Sequence, residues 1–319
     1  MQKVRDIWQL VRGGNLLFIG ILLWVMEKWV AVPVLDNWLF GEQLPWWLLV
    51  LLIAGTVLIA AGGYVVNDYF DVKIDRINRP DKLIVTQSVS REFALRLSCV
   101  LTGLGVVCGL AVAWVCRSWS VATVFALVPG LLWFYSSSYK RLLLLGNLTV
   151  SLSAALVPLL VGLANVDLLW ARYGNLIRFT TLPHDLYMWL GGFGVFAFLC
   201  TLIREIIKDL QDQTGDREVE CHTLPILIGD LWTKVVVSVL LAATMGLIGY
   251  VWYVLLPFDK SWDSLSTRYI VFGMLVPMVC ELVLLWAAKI PSDYKTAQQL
   301  MKFVMFLGVL YSFVILRGL

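Results

Sequence analysis

From Trp46 to Pro80 the chain reads WWLLVLLIAGTVLIAAGGYVVNDYFDVKIDRINRP. Its first 21 residues, Trp46 to Val66, hold no charge, and a helix of about 20 apolar residues is long enough to cross the hydrocarbon of a bilayer. The run ends in Asn67, Asp68, Asp71 and Asp75, followed by Arg76 and Arg79. Carboxylates at the edge of a membrane span are costly to place and tend to mark function. The segment thus sets a fold class, helical and membrane-spanning, and raises the question of what its acids serve.

The rest of the 319-residue chain agrees with that class. It is 60% hydrophobic and 15% charged, with a mean hydropathy of +0.82, whereas a soluble domain is about 45–50% apolar and about 25% charged. Comparable runs lie near residues 14–34, 46–67, 93–115, 119–139, 146–166, 185–206, 232–256, 267–289 and 298–316. With no closing β pattern each must satisfy its own backbone as a helix. The expectation is an all-α, polytopic membrane protein with nine transmembrane helices in a single bundle. No linker or low-complexity stretch divides it, so residues 1–319 read as one domain. The first run follows Lys3, Arg5 and Arg12 as a signal peptide would, but eight spans come after it and no small-x-small cleavage site stands out; it reads as a retained helix.

Charge excludes some partners and sets an orientation. A net charge of +3 without a basic run gives no support for nucleic acid. With the amino terminus in the cytoplasm, the cytoplasmic segments collect 18 of the 25 lysines and arginines. The positive-inside rule then places the amino terminus and the acid-rich loops in the cytoplasm of a cell whose inner (plasma) membrane holds the protein. The six cysteines form no CxxC pair and mostly lie in apolar runs, so they read as small core residues. His184 and His222 have no partners at ligand spacing and read as incidental.

Asn67, Asp71 and Asp75 are spaced i, i+4, i+8, which puts three oxygen-bearing side chains on one helical stripe. A second cluster, REIIKDLQDQTGDRE, ends the sixth run. There Asp209, Asp212 and Asp216 are spaced i, i+3, i+7, with Arg204 and Lys208 just before, and Gly215 is expected to loosen the last turn. Either cluster alone could be a solvated helix end. Two of them with matched spacing, both closing even-numbered spans, point to oxygen-rich cation sites. Mg²⁺ takes few protein carboxylates and fills its shell with water and phosphate oxygens. The neighbouring cations fit a polyanion bridged by metal better than a purely cationic cargo. An ion-coupled transporter is the rival reading, but its acids usually sit near mid-membrane on broken helices. A third polar segment, WFYSSSYKRLLLLGNL, brings Tyr139, Lys140 and Arg141, and Arg12 with Asn15 opens the first span.

These motifs resemble the UbiA-type intramembrane prenyltransferases. Their first signature is an Asn-x-x-x-Asp-x-x-x-Asp run, here NDYFDVKID, and their second an Asp-rich run, here DQTGD preceded by KDLQ. Nine spans match that family's fold. The resemblance implies a Mg²⁺-dependent enzyme that moves a prenyl group from an allylic diphosphate donor to a membrane-lipid or aromatic acceptor. By the same resemblance Asn67, Asp71, Asp75, Asp209, Asp212 and Asp216 hold the metal. Arg12, Asn15, Arg76, Arg79, Tyr139, Lys140, Arg204 and Lys208 meet substrate, and Asp68 assists deprotonation of the acceptor. IDRINRPDK and YKRLLLLGNL look most like the members that prenylate geranylgeranylglyceryl phosphate; the alternative acceptors are 4-hydroxybenzoate and dihydroxynaphthoate. One departure stands out: where the family commonly continues with Pro-Leu-Pro-Ser-Gly, this chain has LIVTQSVS.

Overall fold

A computed structural model describes residues 2–78, 83–256 and 258–318. A short helix α1 (Gln2–Leu10) leads into nine helices long and apolar enough to cross a membrane among the described residues. These are α2 (Gly13–Asn37), α3 (Trp46–Asn78), α4 (Arg91–Cys116), α5 (Trp119–Ser137), α6 (Leu145–Phe179), α7 (Leu182–Glu218), α8 (Leu224–Leu255), α9 (Leu265–Ala287) and α10 (Pro291–Arg317). The nine runs read from sequence are all present.

Several helices outlast their apolar runs, and that shapes the site. α3 continues through Asn78, so the first acid stripe is helical and not a loop. α7 runs unbroken to Glu218, so Gly215 does not loosen its last turn. Side-chain bonds one turn apart accompany the continuation: Gln213 Nε2 donates to the Leu210 carbonyl at 3.2 Å and Arg217 to Gln213 Oε1 at 3.4 Å. The segment 167–185, between the fifth and sixth apolar runs, is helical through Phe179 and again from Leu182. α8 bends where Gly229 takes φ 79°, a left-handed backbone conformation that glycine adopts without a Cβ clash.

The chain divides into two compact units, one of Met1–Lys140 with Leu156–Gly194 and one of Arg141–Ala155 with Val195–Leu319. In the first, α3 and α4 approach closely through small residues. A Cβ at Gly62 would fall 2.2 Å from Thr102 Oγ1, and one at Gly105 would fall 2.8 Å from the Gly55 carbonyl. The Ser98 hydroxyl donates to the Gly62 carbonyl at 2.9 Å. Without a hydrophobic drive between helices in lipid, such backbone contact is what holds spans together. Leu10 of α1, Val65 and Val72 of α3, Leu83 and Val85 of the following segment and Ala94 of α4 form a core. The departing LIVTQSVS segment is part of it: Leu83 and Val85 are buried, and Ser90 caps α4 by accepting from the Phe93 amide at 3.2 Å.

In the second unit Ile203, Ile207 and Leu210 of α7 share a core with Val237 and Leu241 of α8, Met278 and Leu285 of α9, and Met301 and Val304 of α10. Many large apolar side chains point outward, among them Val107, Leu127, Val239 and Val283. On a soluble protein such surfaces would be aggregation sites; here they face acyl chains. Trp46, Trp119 and Trp262 stand exposed at or near helix ends, as an interfacial aromatic belt requires. Cys116, Cys200 and Cys221 are buried, as core residues should be. Cys99 and Cys280 are exposed on outward helix faces, where apolarity is required but packing is not. All six thiols are free.

Candidate active site

In the first unit, five of the expected residues lie along the end of α3. Asn67 Nδ2 donates to Asp71 Oδ2 at 2.7 Å, and Lys140, from the short turn after α5, forms an ion pair with Asp71. Only 11% of the Lys140 side chain and 14% of that of Asp71 are exposed, so two charges have left water together. A pair this enclosed persists only where each partner neutralises the other. One helical turn back, Arg12 Nη2 donates to Asp68 Oδ1 at 3.1 Å, its guanidinium lies 4.8 Å from the centre of the Tyr64 ring, and Asn15 Nδ2 reaches the Tyr64 hydroxyl at 3.4 Å. Arg12 can turn back on α3 because its backbone is left-handed, φ 53°, between α1 and α2. Asp75 is half-buried, Arg76 is exposed, and Tyr139 stacks on Phe134 with ring centres 5.8 Å apart. Arg79 lies outside the described residues.

In the second unit the second stripe lies on α7. Asp216 is buried, and Asp209 and Asp212 are half-buried. Asn147, on the first turn of α6, donates to Asp209 Oδ2 at 2.8 Å. Arg204 and Lys208 both meet Glu205, Lys208 at 3.4 Å. Neither Glu205 nor Asn147 stood out in the sequence reading. Glu205 sits between the two cations in the motif already quoted, and Asn147 is the middle residue of GNL, but neither has a partner at motif spacing that would single it out. Only the packing of α6 beside α7 gives Asn147 its partner. His184 and His222 are both exposed, and His184 lies beside Asp185.

The donor set suits a hard divalent cation. Asn67 Oδ1 is buried with no hydrogen-bond partner among the described residues, an arrangement costly enough to need a reason. With Asp71 and Asp75 on its stripe it offers oxygen ligands only, the chemistry that Mg²⁺ prefers. Among the described residues no three acids, histidines or cysteines converge into a closed protein cage. Such an ion takes the rest of its shell from water and phosphate, which is how Mg²⁺ is usually held.

Nine apolar helices among the described residues, two of them ending in acid stripes flanked by paired cations, define the class: a multi-pass membrane protein with oxygen-rich sites at helix ends. The UbiA prenyltransferase family matches residues 38–310, and the chain belongs to that family of prenyl-transferring enzymes. It is 33% identical over 265 residues to a digeranylgeranylglyceryl phosphate synthase of Natronomonas pharaonis, covering 80% of this chain and 84% of that one. A synthase of the same name from Ignicoccus hospitalis is 38% identical over 177 residues, 55% of this chain, and that match spans about half of the relative's length, 52%. The fold is shared with a solved digeranylgeranylglyceryl phosphate synthase, TM-score 0.66 at 20% identity over 100% of both chains. It is shared too with a UbiA homologue of Archaeoglobus fulgidus bound to GPP and Mg²⁺, TM-score 0.58 at 14% identity, over 98% of this chain and 99% of that one.

Proposed function

We propose that this protein transfers a geranylgeranyl group from its allylic diphosphate to a prenylated glycerol phosphate, with Mg²⁺, acting as one domain over residues 1–319. The observation that carries the metal part is the orphaned, buried Asn67 Oδ1 beside Asp71. The acceptor rests on the matches at IDRINRPDK and YKRLLLLGNL and on the several similar proteins named for that product. The binding of GPP and Mg²⁺ by the Archaeoglobus homologue supports the donor and the ion.

Asn67, Asp71 and Asp75 of the first unit, and Asp209, Asp212 and Asp216 of the second, would hold Mg²⁺, which when bound would supply charge stabilisation for the departing diphosphate. Lys140 and Asp71 neutralise each other in the absence of substrate, and the Lys140 ammonium would serve phosphate oxygens when the diphosphate binds. Arg204, Lys208, Arg79 and Arg76 add positive charge where the leaving group develops its own, the term that contributes most to catalysis of this kind. The allylic C–O bond breaks and its electron pair leaves with the diphosphate. The acceptor hydroxyl oxygen then bonds to the allylic carbon and its proton passes to Asp68, which Arg12 holds in place. Arg12, Asn15 and Tyr139 line the acceptor. Apolar helix faces keep water from the allylic cation and let the prenyl tails lie in lipid.

The motif ends of α3 and α7 face the cytoplasm of the plasma membrane, as the distribution of basic residues implies. The test of the acceptor is competition. Purified protein receives geranylgeranyl diphosphate, Mg²⁺, geranylgeranylglyceryl phosphate, 4-hydroxybenzoate and dihydroxynaphthoate in one reaction. The ether-linked glycerol phosphate product should dominate; an aromatic product in excess overturns the acceptor assignment and leaves prenyl transfer standing.

A further inference from the structure

We infer that Asn147 is a positioning residue for the metal site: it aims Asp209 by donating to one carboxylate oxygen, leaving the other for the ion. The inference rests on the ligand set proposed above. Asn147 is 9% exposed and its Nδ2 lies 2.8 Å from Asp209 Oδ2. Its own backbone is tied down, since the Ser151 hydroxyl donates to the Asn147 carbonyl at 2.6 Å. The donor therefore comes from a fixed turn and not from a mobile rim.

A carboxylate on a helix can rotate about two torsions, and rotation spoils its value as a ligand. A neutral amide fixes those torsions without competing for the metal as a lysine or arginine would. The contrast with Asp71 sharpens the point. Asp71 accepts from an amide, Asn67, and from a lysine, whereas the bond described for Asp209 comes from an amide alone. The two stripes thus share an amide-to-carboxylate bond, built in one case from i, i+4 spacing on one helix and in the other across two helices. Hydrogen-bond partners of metal-ligating carboxylates are worth about 10–100-fold in metal affinity.

The experiment titrates Mn²⁺ into detergent-solubilised full-length protein, without donor, and reads the free-ion EPR signal; melting temperature is recorded in parallel. Asn147→Leu should weaken Mn²⁺ binding by about 10–100-fold. Asn147→Asp, which keeps the shape but replaces the donor by an acceptor, should weaken it as well and guards against a leucine variant that does not fold. In an Asp209→Asn background neither change should weaken binding further. A merely structural bond between α6 and α7 would lower the melting temperature while leaving Mn²⁺ affinity within twofold, and that result overturns the inference. If Asp209→Asn itself binds Mn²⁺ like the wild type, Asp209 is no ligand, and this inference falls together with that part of the proposed site.

Discussion

Arg12 and Asp68 are separated by 55 intervening residues and joined by a salt bridge of 3.1 Å. Burial works against the charge of Arg12, but Asp68 and Tyr64 favour it, and the balance raises its pKa above the ordinary guanidinium value. The arginine is thus a permanent anchor for the carboxylate proposed to accept the acceptor's proton. Asp68→Asn keeps the shape and removes the base, and kcat should fall by about 100-fold, the lower range for general-base loss. The donor KM should stay within a few-fold. An unchanged kcat at saturating acceptor removes Asp68 from the chemistry.

Asp71→Ala and Asp212→Ala each delete a proposed ligand near the end of a span. Transfer should fall by at least about 100-fold, as it does when a group stabilising transition-state charge is removed; expression and gel-filtration behaviour should stay near wild type for Asp212→Ala, whereas Asp71→Ala also leaves the enclosed Lys140 unpaired and should lower the melting temperature. Turnover is measured at saturating Mg²⁺ with labelled geranylgeranyl diphosphate. Near-normal release of diphosphate in either variant would sink the ligand assignment.

Deep in the first unit, Asn165 Nδ2 donates to Glu27 Oε2 at 2.6 Å, and both side chains are fully buried. Asn165→Leu removes that donor from a carboxyl that cannot reach water. A buried polar group left unsatisfied costs about 1–3 kcal/mol, so the melting temperature in detergent should drop. Adding Glu27→Leu should restore most of the loss, because apolar replacement of both partners is often neutral. A single variant that melts like the wild type shows that the bond carries no stability.

Two glycines on α4, two residues apart, should behave oppositely. A Cβ at Gly105 would lie 2.7 Å from Ile59 Cγ1 and 2.8 Å from the Gly55 carbonyl, whereas one at Gly103 meets nothing within 4 Å. Gly105→Ala should destabilise by about 1–3 kcal/mol through overpacking, and Gly103→Ala should be neutral or stabilising by up to about 1 kcal/mol. Thermal melts of the pair decide it, and equal effects would mean that α3 and α4 do not approach through their glycines.

Orientation is tested with a single cysteine at Gln87, an exposed position, in a background freed of the six native thiols. A membrane-impermeant thiol reagent should label it only in inverted vesicles. Labelling from outside intact cells reverses the assigned topology.

The sequence by itself determined the number of spans, the helical stripes and the family, because each rests on local quantities. Hydrocarbon thickness sets run length, and helical periodicity sets which residues share a face. NDYFDVKID announces its own geometry for the same reason: Asn67 and Asp71 are one turn apart on one helix. Local patterning did not reveal which helix face meets which. Lys140 beside Asp71, Asn147 beside Asp209 and Asn165 beside Glu27 join positions 69, 62 and 138 residues apart. Those pairings depend on close packing at particular points, such as the approach of α3 to α4 at Gly55, Gly62 and Gly105, and no periodicity in a single helix encodes a neighbour's register. The burial of Leu83 and Val85, against Leu10, Val65, Val72 and Ala94, belongs to the same set. Their partners come from three other segments, and only the folded chain brings those together.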